Sequence, residues 1–411
     1  MGSAQKSLKD LLHPGDTLLV GTGTGEPLTL IEELVEASAQ VPGLSVIQVM
    51  TGGIERLADI AGHRIRLMTP VPGSKTRAAI REGRAELFML PMSGLLNGIL
   101  DGSLKVSGVL MQGRALDAGH ATPGLIADVM VPAWETVRFR ALELNDQLPR
   151  IGLLGVDEPL DLARADRIVH SSRPPNTLHA DVANDAARRI GEHVATLVPD
   201  GATIELGVGK ALAGIVDALI ATRRDLAMHT GIVGDAAMRL IEAGCVSRPV
   251  QGKACAVGAT SMGTPEFYRW ADGEARIGLV DSRRAHSANH LATLQRFTAI
   301  NSAIQVDLAG NANSNVHKGK LVSGPGGAGD FTSAGAKSAA SIIVMFATAP
   351  DGASTIVPNV EAVTIPPGNI THVVTEHGIA VLAGRSPAER ARALAAIAAP
   401  EHREALLRAA Q

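Results

Sequence analysis

The sequence predicts an α/β protein in which helices pack against parallel sheets. Short β-branched runs alternate with longer amphipathic runs along the 411 residues, which is the pattern of βαβ units. Aromatic residues make up only 2% of the chain whereas 44 residues are glycine, so close helix-on-sheet packing through small side chains is expected. A strand, glycine turn and helix also follow one another twice, at GTGTGEP (Gly21 to Pro27) and at GVGK (Gly207 to Lys210). We therefore expect two similar α/β halves.

The first half opens with a strand, a glycine turn and a helix in the segment DTLLVGTGTGEPLTLIEELVEA. Pro27 suits the first helical position, where a backbone N–H has no partner within the helix. One apolar face of this helix is formed by Leu30, Ile31, Leu34 and Val35. The apolar runs LSVIQVM, AELFML and VSGVLMQ are predicted to be further buried strands.

The second half repeats this order, beginning with ATIELGVGKALAGIVDAL. Two more predicted strands follow, in AINSAIQVDLAG and in SIIVMFATA. In the C-terminal helix, Ser386 is the predicted cap, Pro387 takes the first helical position and Glu389 completes a capping box. The polar, Pro-rich stretch SSRPPNTLHAD separates the halves and is interpreted as a linker. We therefore predict one domain over residues 1–175 and a second over residues 176–411.

Composition and charge exclude several classes of function. With 38 basic and 41 acidic residues the net charge is -3, so no nucleic-acid or membrane partner is expected. The longest apolar run, IIVMFA, is far too short to span a membrane. Cys245 and Cys255 lie ten residues apart without a CxxC pattern, which excludes a disulfide framework and argues against structural zinc. The N-terminal stretch carries Lys6, Lys9 and Asp10 with no uninterrupted apolar run, so it is not a signal peptide and a cytoplasmic protein is expected.

The two glycine turns offer free backbone N–H groups at helix N-termini, a setting that suits a phosphate or a developing oxyanion. Neither turn fits a nucleotide-binding fingerprint, because Glu26 stands at the third glycine of GxGxxG and Ala211 stands where a P-loop needs Ser or Thr. A tight structural turn is the alternative for both. A third glycine-rich segment, SGPGGAGDF (Ser323 to Phe331), precedes a strand and either lets a ligand approach closely or is a mobile surface loop.

Other catalytic patterns are not found in the sequence. The thirteen histidines show no metal-ligand spacing supported by a carboxylate, so no metal site is predicted. No GxSxG elbow occurs, so an α/β-hydrolase is unsupported. From the residues alone, the sequence predicts a two-domain α/β protein with glycine loops suited to binding anions.

Seven segments, spread over nearly the whole chain, carry a family resemblance. They are GTGTGEPLTLIEEL, LNDQLPR, RRIGEHVATLVPDGATIELGVG, GDAAMRLIEAG, AINSAIQVDLAGNANS, SGPGGAGDF and VTEHGIAVLAGRSPAERARAL. In this order they resemble the family of acetyl-CoA hydrolases and 4-hydroxybutyrate CoA-transferases, which are class I CoA-transferases in the wider sense. The resemblance implies two open α/β domains of CoA-transferase type, with acyl-CoA bound in the cleft between them. It also implies a homodimer and no cofactor other than coenzyme A.

The resemblance further implies a mechanism and a set of site residues. In the family a glutamate attacks the thioester carbonyl, the freed CoA attacks the resulting anhydride, and a second carboxylic acid resolves the enzyme–CoA thioester. Backbone N–H groups of the glycine loops stabilise the tetrahedral oxyanions, and Gly326 and Gly327 are implied as those donors. The residues implied to line the CoA site are Gly207, Val208, Gly209, Lys210, Gly324, Asp330 and Glu376.

Two positions of the resembling segments lack an expected carboxylate. The family motif N-S-A-x-E-V-D-L-x-G places its glutamate at Gln305, which we take as the catalytic position of this chain. A carboxamide is nearly isosteric with a carboxylate, but its oxygen is a poor nucleophile, so Gln305 cannot run the anhydride and thioester cycle. The second departure lies in HTGIVGD, where Gly231 stands at the glutamate of the family pattern H-[ST]-E-x-x-[SG]-D.

Three hypotheses account for these substitutions. Gln305 could be a mutated nucleophile in an ordinary CoA-transferase, although the change at Gly231 argues against a single deliberate substitution. The chain could also be a non-catalytic binder of CoA thioesters. We favour an enzyme without the glutamyl step, because the glycine-rich segments GVGK and SGPGGAGDF keep their family form. Such an enzyme transfers the acyl group directly to water, an amine or a hydroxyl, which could lie within the substrate itself. Asp307, Asp330 and Glu376 could replace the carboxylate, but structural roles are expected for all three.

Overall fold

The computed structural model describes residues 6–155, 159–178 and 182–410. The described residues pack into two compact units, one formed by those up to 178 with 258–285 and the other by 182–257 with 286–410. Both units are therefore discontinuous in sequence, whereas two continuous domains are expected from the sequence. The end of the predicted linker, residues 179–181, lies outside the described residues.

Helices and strands alternate in the described residues up to 178. They are α1 (Leu8–Leu11), β1 (Thr17–Val20), α2 (Leu28–Ala37), β2 (Leu44–Ile47), β3 (Ile65–Thr69), α3 (Ser74–Arg81), β4 (Ala85–Leu87), α4 (Met92–Leu100), β5 (Gly108–Ala115), β6 (His120–Thr122), α5 (Met130–Thr136), β7 (Phe139–Asn145), β8 (Leu160–Asp161) and β9 (Arg167–Ser171).

The described residues after 181 continue the alternation. Their elements are α6 (Asp185–Leu197), β10 (Thr203–Leu206), α7 (Ile215–Thr222), β11 (Ala227–Val233), α8 (Asp235–Glu242), β12 (Ala256–Ser261), α9 (Pro265–Ala271), β13 (Ile277–Leu279), α10 (Ser282–Ala285), α11 (Ala288–Leu291), β14 (Thr298–Ser302), β15 (Gln305–Asp307), β16 (Ala312–Asn313), β17 (Val316–His317), β18 (Lys320–Leu321), α12 (Ala328–Ala336), β19 (Ala340–Val344), β20 (Ile356–Val357), β21 (His372–Thr375), β22 (Gly378–Val381), α13 (Pro387–Ala396) and α14 (Pro400–Ala409).

The sheet of the first unit is parallel across its centre. Its strands lie in the order β4-β3-β2-β1-β5-β7-β9, and each neighbouring pair is parallel. Antiparallel pairing of β6 with the end of β5, and of β8 with β6, extends the sheet. The strand order reverses between β1 and β5, and GTGTGEP leaves β1 at this reversal. There the Gly21 N–H donates to the Leu110 carbonyl at 2.8 Å.

The second unit repeats this plan. Its strands β11, β10, β14, β19 and β21 are neighbours in that order and are parallel, and β22 pairs antiparallel with β21. The strand order reverses between β10 and β14. In open α/β sheets, ligands bind beyond the carboxyl ends of the strands at such a reversal. Because the GVGK turn follows β10 at this point, the topology marks this turn as a place where a ligand can bind.

Helix α2 shows how the sequence pattern becomes packing. Its Leu30, Ile31 and Leu34 are buried in the core of the first unit, and Val35 packs against the same core while partly exposed. The predicted apolar face is therefore confirmed. Pro27 is the residue before the helix, which begins one position later than the sequence analysis expects.

The predicted capping box of helix α13 is confirmed. The Ser386 hydroxyl accepts a hydrogen bond from the Glu389 N–H, and the Glu389 carboxylate accepts one from the Ser386 N–H at 2.8 Å. Pro387 is the first residue of the helix, as predicted.

Both units combine helices with parallel strands, which confirms the predicted α/β fold class. Cys245 and Cys255 are buried and free of disulfide bonds. In the part of the chain that the structure describes, no helix combines the length and the apolar character that crossing a membrane requires.

Candidate functional site

One face of the second unit's sheet brings several candidate residues together. Glu205 of β10 pairs in register with Ala299 of β14. Thr203 of β10 pairs with Ala227 of β11. Because side chains alternate along a strand, these registers place four residues on one face: Glu205, Gly231, Ala299 and Asn301. Helix α12 covers this face, since a methyl group added at its Gly335 would lie 3.0 Å from the Ala299 Cβ.

The GVGK turn is held against β14. The Gly207 N–H donates to the Ile300 carbonyl at 2.9 Å, and the Ser302 hydroxyl donates to the Val208 carbonyl at 3.0 Å. A methyl group at Gly207 would lie 2.8 Å from the Asn301 Oδ1, so a larger residue there would require the Asn301 side chain to shift. The turn is therefore fixed at the carboxyl end of the sheet.

The outer part of this turn is open to solvent. The Val208 side chain is 63% exposed, and Gly209 has a φ of +136°, which L side chains rarely adopt. Lys210 is exposed and begins a short 3₁₀ helix, Lys210–Leu212. The turn presents backbone groups and a cation to solvent, a setting that suits an anion.

The segment SGPGGAGDF leads directly into helix α12. Gly324 is buried, Gly326 has a φ of +55° and Gly327 is the residue that precedes the helix. Asp330 lies in the first turn, where the helix dipole favours a carboxylate. A strand does follow, at β19, but the nine-residue helix lies between. The small residues of AGDFTSAGA give no apolar periodicity, so this helix was not predicted from the sequence.

Gly231 lies beneath the first half of α12. A methyl group at Gly231 would lie 3.6 Å from the Phe331 Cε2, and one at Gly327 would lie 3.4 Å from the same atom. Gly231, Gly327 and Phe331 thus meet at one place. Because 3.6 Å is an ordinary van der Waals contact, a side chain at position 231 could begin here without a collision.

Gln305 lies in a different sheet. It is the first residue of β15, in the small sheet β16-β15-β20, and it is partly buried. Its Oε1 accepts a hydrogen bond at 3.2 Å from the Nδ2 of Asn313, which is its partner in the β-register. The single apolar run expected in this segment is two strands, β14 and β15. Gln305 is therefore hydrogen-bonded to β16 and does not lie on the face of the larger sheet that carries Gly231.

The carboxylates of Asp307 and Glu376 hold backbone groups. The Asp307 Oδ1 accepts hydrogen bonds from the N–H groups of Ala309 at 3.0 Å and Asn311 at 2.9 Å. The Glu376 Oε2 accepts one from the Ala347 N–H at 2.9 Å. Hydrogen bonds from backbone N–H groups to the Asp307 and Glu376 carboxylates are what the expected structural roles of these residues require. That Glu376 also binds CoA stays a prediction.

A buried carboxyl group lies directly before the GVGK turn. Glu205 is 2% exposed, and its Oε2 accepts a hydrogen bond from the Asn301 Nδ2 at 2.6 Å. Burial raises the pKa of Glu205 to about 8, because the charged form would lose its hydration. The carboxyl group is therefore largely protonated at neutral pH.

A buried imidazole faces the start of α12. His286 is 4% exposed, and its Cε1 would lie 2.5 Å from a methyl group at Gly327. Its Nδ1 lies 3.6 Å from the Asp330 Oδ2, and its ring centroid lies 4.8 Å from that of Phe331. Within the described residues, this Nδ1 has no hydrogen-bond partner. Burial lowers the pKa of His286 to about 4, so the ring is neutral near pH 7.

These groups define what the region can do chemically. Backbone N–H groups of glycine segments and a neutral imidazole can stabilise an oxyanion and move a proton. Among the residues that the structure describes, no group of three or more His, Cys, Asp or Glu side chains could hold a metal ion.

Comparison with known proteins assigns the family. Residues 263–410 match the family model described as the acetyl-CoA hydrolase/transferase C-terminal domain. The chain is 30% identical over 398 residues to the 4-hydroxybutyrate coenzyme A transferase of Clostridium kluyveri, an alignment that covers 93% of this chain and 91% of that relative. The chain belongs to the acetyl-CoA hydrolase/transferase family.

Further relatives show that the similarity covers nearly the full length of this chain. It is 28% identical over 414 residues to a succinyl-CoA:acetate/propanoyl-CoA:succinate CoA transferase of Fasciola hepatica, covering 97% of this chain and 85% of the relative. The crystal structure of RipA from Yersinia pestis is similar with a TM-score of 0.89 and 25% identity, covering 99% of this chain and 96% of RipA. The acetyl-CoA hydrolase/transferase similarity therefore extends beyond the C-terminal part.

In this acetyl-CoA hydrolase/transferase family member, the residues expected from sequence fall in separate places. Residues 207–210 follow β10 and residues 324–330 lead into α12, whereas Gln305 lies in β15 and Glu376 follows β21. Glu205 and His286 were not predicted from the sequence as site residues. The signal for Glu205 was a lone carboxylate in the apolar run ATIELGVG, but no local pattern distinguishes His286 from the other histidines.

Proposed function

We propose that this chain is an enzyme that transfers the acyl group of an acyl-CoA directly to an acceptor, without a covalent glutamyl intermediate. The acceptor is water, an amine or a hydroxyl group. The proposal rests on the family resemblance, which implies glutamates at the positions of Gly231 and Gln305, while the segments GVGK and SGPGGAGDF keep the form that the resemblance implies. The anhydride step needs a carboxylate, whereas the glycine segments serve any thioester reaction that forms a tetrahedral oxyanion.

Family membership supports acyl-CoA as the substrate. The relatives are named as CoA transferases, and the matched family model as a hydrolase/transferase. We infer that CoA contacts both glycine segments and the end of β21, at Gly207, Val208, Gly209, Lys210, Gly324, Asp330 and Glu376. The exposed Lys210 is suited to a phosphate of CoA.

The proposed oxyanion donors are the N–H groups of Gly326 and Gly327. Their position at the N-terminal end of α12 supports this role, because the helix dipole and unpaired N–H groups favour negative charge there. Gln305 either orients the acceptor or donates to the oxyanion. Its Oε1 is bonded to Asn313, so its Nε2 is the end that can donate to a ligand.

Thiol release from a panel of short acyl-CoAs, with and without acetate, tests this function. The variants are Gln305→Glu and Gly231→Glu, and Gln295→Glu at an exposed position is the charge-matched control. We expect the unaltered chain to release thiol, and neither site variant to do so faster. A chain that is inert until one of the two glutamates is restored, and that then exchanges CoA between acids, would be an ordinary transferase with a blocked nucleophile. Tight CoA binding without thiol release by any form would identify a binder.

We also propose that the chain forms a homodimer and works in the cytoplasm. The family resemblance supports the dimer, and two buried cysteines without a disulfide fit a reducing compartment. Light scattering coupled to size-exclusion chromatography measures the mass in solution. A monomer at the concentrations at which the protein is active would contradict the dimer.

A further inference from the structure

We propose that His286, oriented by Asp330, is the general base that removes a proton from the acceptor during acyl transfer. The inference rests on the proposed function, and it names the group that acts on the acceptor in the same region. It also narrows the acceptor to molecules that carry an O–H or N–H bond.

The placement of the imidazole is the first observation. The Cε1 atom lies between the two ring nitrogens, and it is the ring atom closest to where a side chain at Gly327 would begin, at 2.5 Å. The His286 Nδ1 lies 3.0 Å from the same point, so the Cε1–Nδ1 edge of the ring faces the start of α12. A side chain at position 327 would collide with the ring, so the close approach of His286 requires glycine there.

The partner of the imidazole is the second observation. The His286 Nδ1 lies 3.6 Å from the Asp330 Oδ2, and the two side chains are 4% and 12% exposed. This separation is longer than a hydrogen bond, so Asp330 is a nearby polar neighbour of the ring and is not hydrogen-bonded to its Nδ1 in this structure. With a proton on Nδ1 directed toward Asp330, the Nε2 carries the lone pair, as in other bases that a carboxylate orients.

The third observation concerns the groups that cannot act as the base. Gln305 has an amide, which does not accept a proton at neutral pH, and Gly231 has no side chain. Glu205 is protonated near neutral pH because burial raises its pKa to about 8. His286 is neutral, so it can accept a proton, and its Nδ1 is a buried polar atom without a partner among the described residues.

The proposed step balances with water as the acceptor. The water oxygen bonds to the thioester carbonyl carbon while the Nε2 of His286 takes one water proton. The tetrahedral oxyanion then reforms the carbonyl, the C–S bond breaks, and the proton passes from His286 to the CoA thiolate. The products are the carboxylic acid and CoA thiol. A carboxylate acceptor carries no proton to remove, so the base has no role in exchange of CoA between acids.

Kinetics of His286→Gln and Asp330→Asn, followed as thiol release from acetyl-CoA or the best acyl-CoA of the panel, test the proposal. We expect the kcat of His286→Gln to fall by roughly 100-fold or more with its KM for the acyl-CoA nearly unchanged, and that of Asp330→Asn to fall by roughly 10-fold. The matched control is His372→Gln, because His372 is a partly buried residue at the amino end of β21, the opposite end from the site. It should keep the kcat of the unaltered chain.

Rescue separates chemistry from folding. Added imidazole should restore thiol release by His286→Ala, and the midpoint of thermal unfolding of each variant reports its folding. Full activity of His286→Gln, or a loss of activity that imidazole does not restore, overturns the role of His286 and leaves the proposed function standing. If the unaltered chain releases no thiol from any acyl-CoA, the proposed function fails and this inference fails with it.

Discussion

Replacing Glu205 by Gln should make the stability of the protein less dependent on pH above pH 6. The substitution keeps the shape of the side chain and an oxygen that can accept from Asn301, but it removes the proton-binding group. Burial raises the pKa of Glu205 from 4.5 to about 8, so the folded state binds this proton more tightly than the unfolded state. The stabilisation is complete below about pH 4.5 and is lost as the pH rises through 8.

The magnitude follows from the two pKa values. A shift from 4.5 to about 8 corresponds to a free energy on the order of 5 kcal/mol over the whole titration. Between pH 6 and pH 9, about 3 kcal/mol of this is lost by the unaltered protein and not by Glu205→Gln. The free energy of unfolding of the variant should therefore improve relative to the unaltered protein by that amount across this interval.

Urea unfolding at pH 6, 7.5 and 9 measures the difference. Glu192→Gln, at an exposed position of helix α6, is the matched control and should follow the unaltered protein at each pH. A difference between Glu205→Gln and the unaltered protein that stays constant from pH 6 to pH 9 would refute a raised pKa of Glu205.

Three further substitutions or reactions test local packing, capping and reactivity. A methyl group at Gly191 of α6 would collide with the Gly214 carbonyl, so Gly191→Ala should lower the free energy of unfolding by about 1–3 kcal/mol. A methyl group at Gly329 of α12 faces open space, so Gly329→Ala should be neutral or stabilising. The same urea titrations measure both variants. Ser386→Ala removes the cap of α13 and should cost about 1 kcal/mol by the same measurement, and an unchanged midpoint would contradict the cap. Burial raises the pKa of the Cys245 thiol to about 11, so it should react with Ellman's reagent only after unfolding, and rapid labelling of the folded protein would contradict this.

Much of the fold could be predicted because local rules and tertiary packing agree. The apolar periodicity of α2 matches its buried face, and the residues Ser386, Pro387 and Glu389 form the cap that their spacing predicts. Helix α12 was missed because its sequence has small residues without an apolar stripe. It is held instead by contact with the sheet, where Gly335 approaches Ala299.

The candidate site could be predicted only in part, because its residues meet through topology. The glycine segments were visible as patterns, since turns and close approaches require glycine. The meeting of Gly231, Gly327 and His286 around Phe331 depends on how α12 crosses the sheet, which no local spacing reveals. The raised pKa of Glu205 likewise results from its burial in the folded protein and not from its neighbours in sequence.

The most direct test of direct acyl transfer is intact-protein mass spectrometry during turnover of an acyl-CoA, with thiol release recorded in the same samples. We expect thiol release while the protein mass stays unchanged, because no glutamyl–CoA thioester forms. A species heavier by one CoA moiety that appears and decays during turnover would show a covalent intermediate and contradict the proposed mechanism.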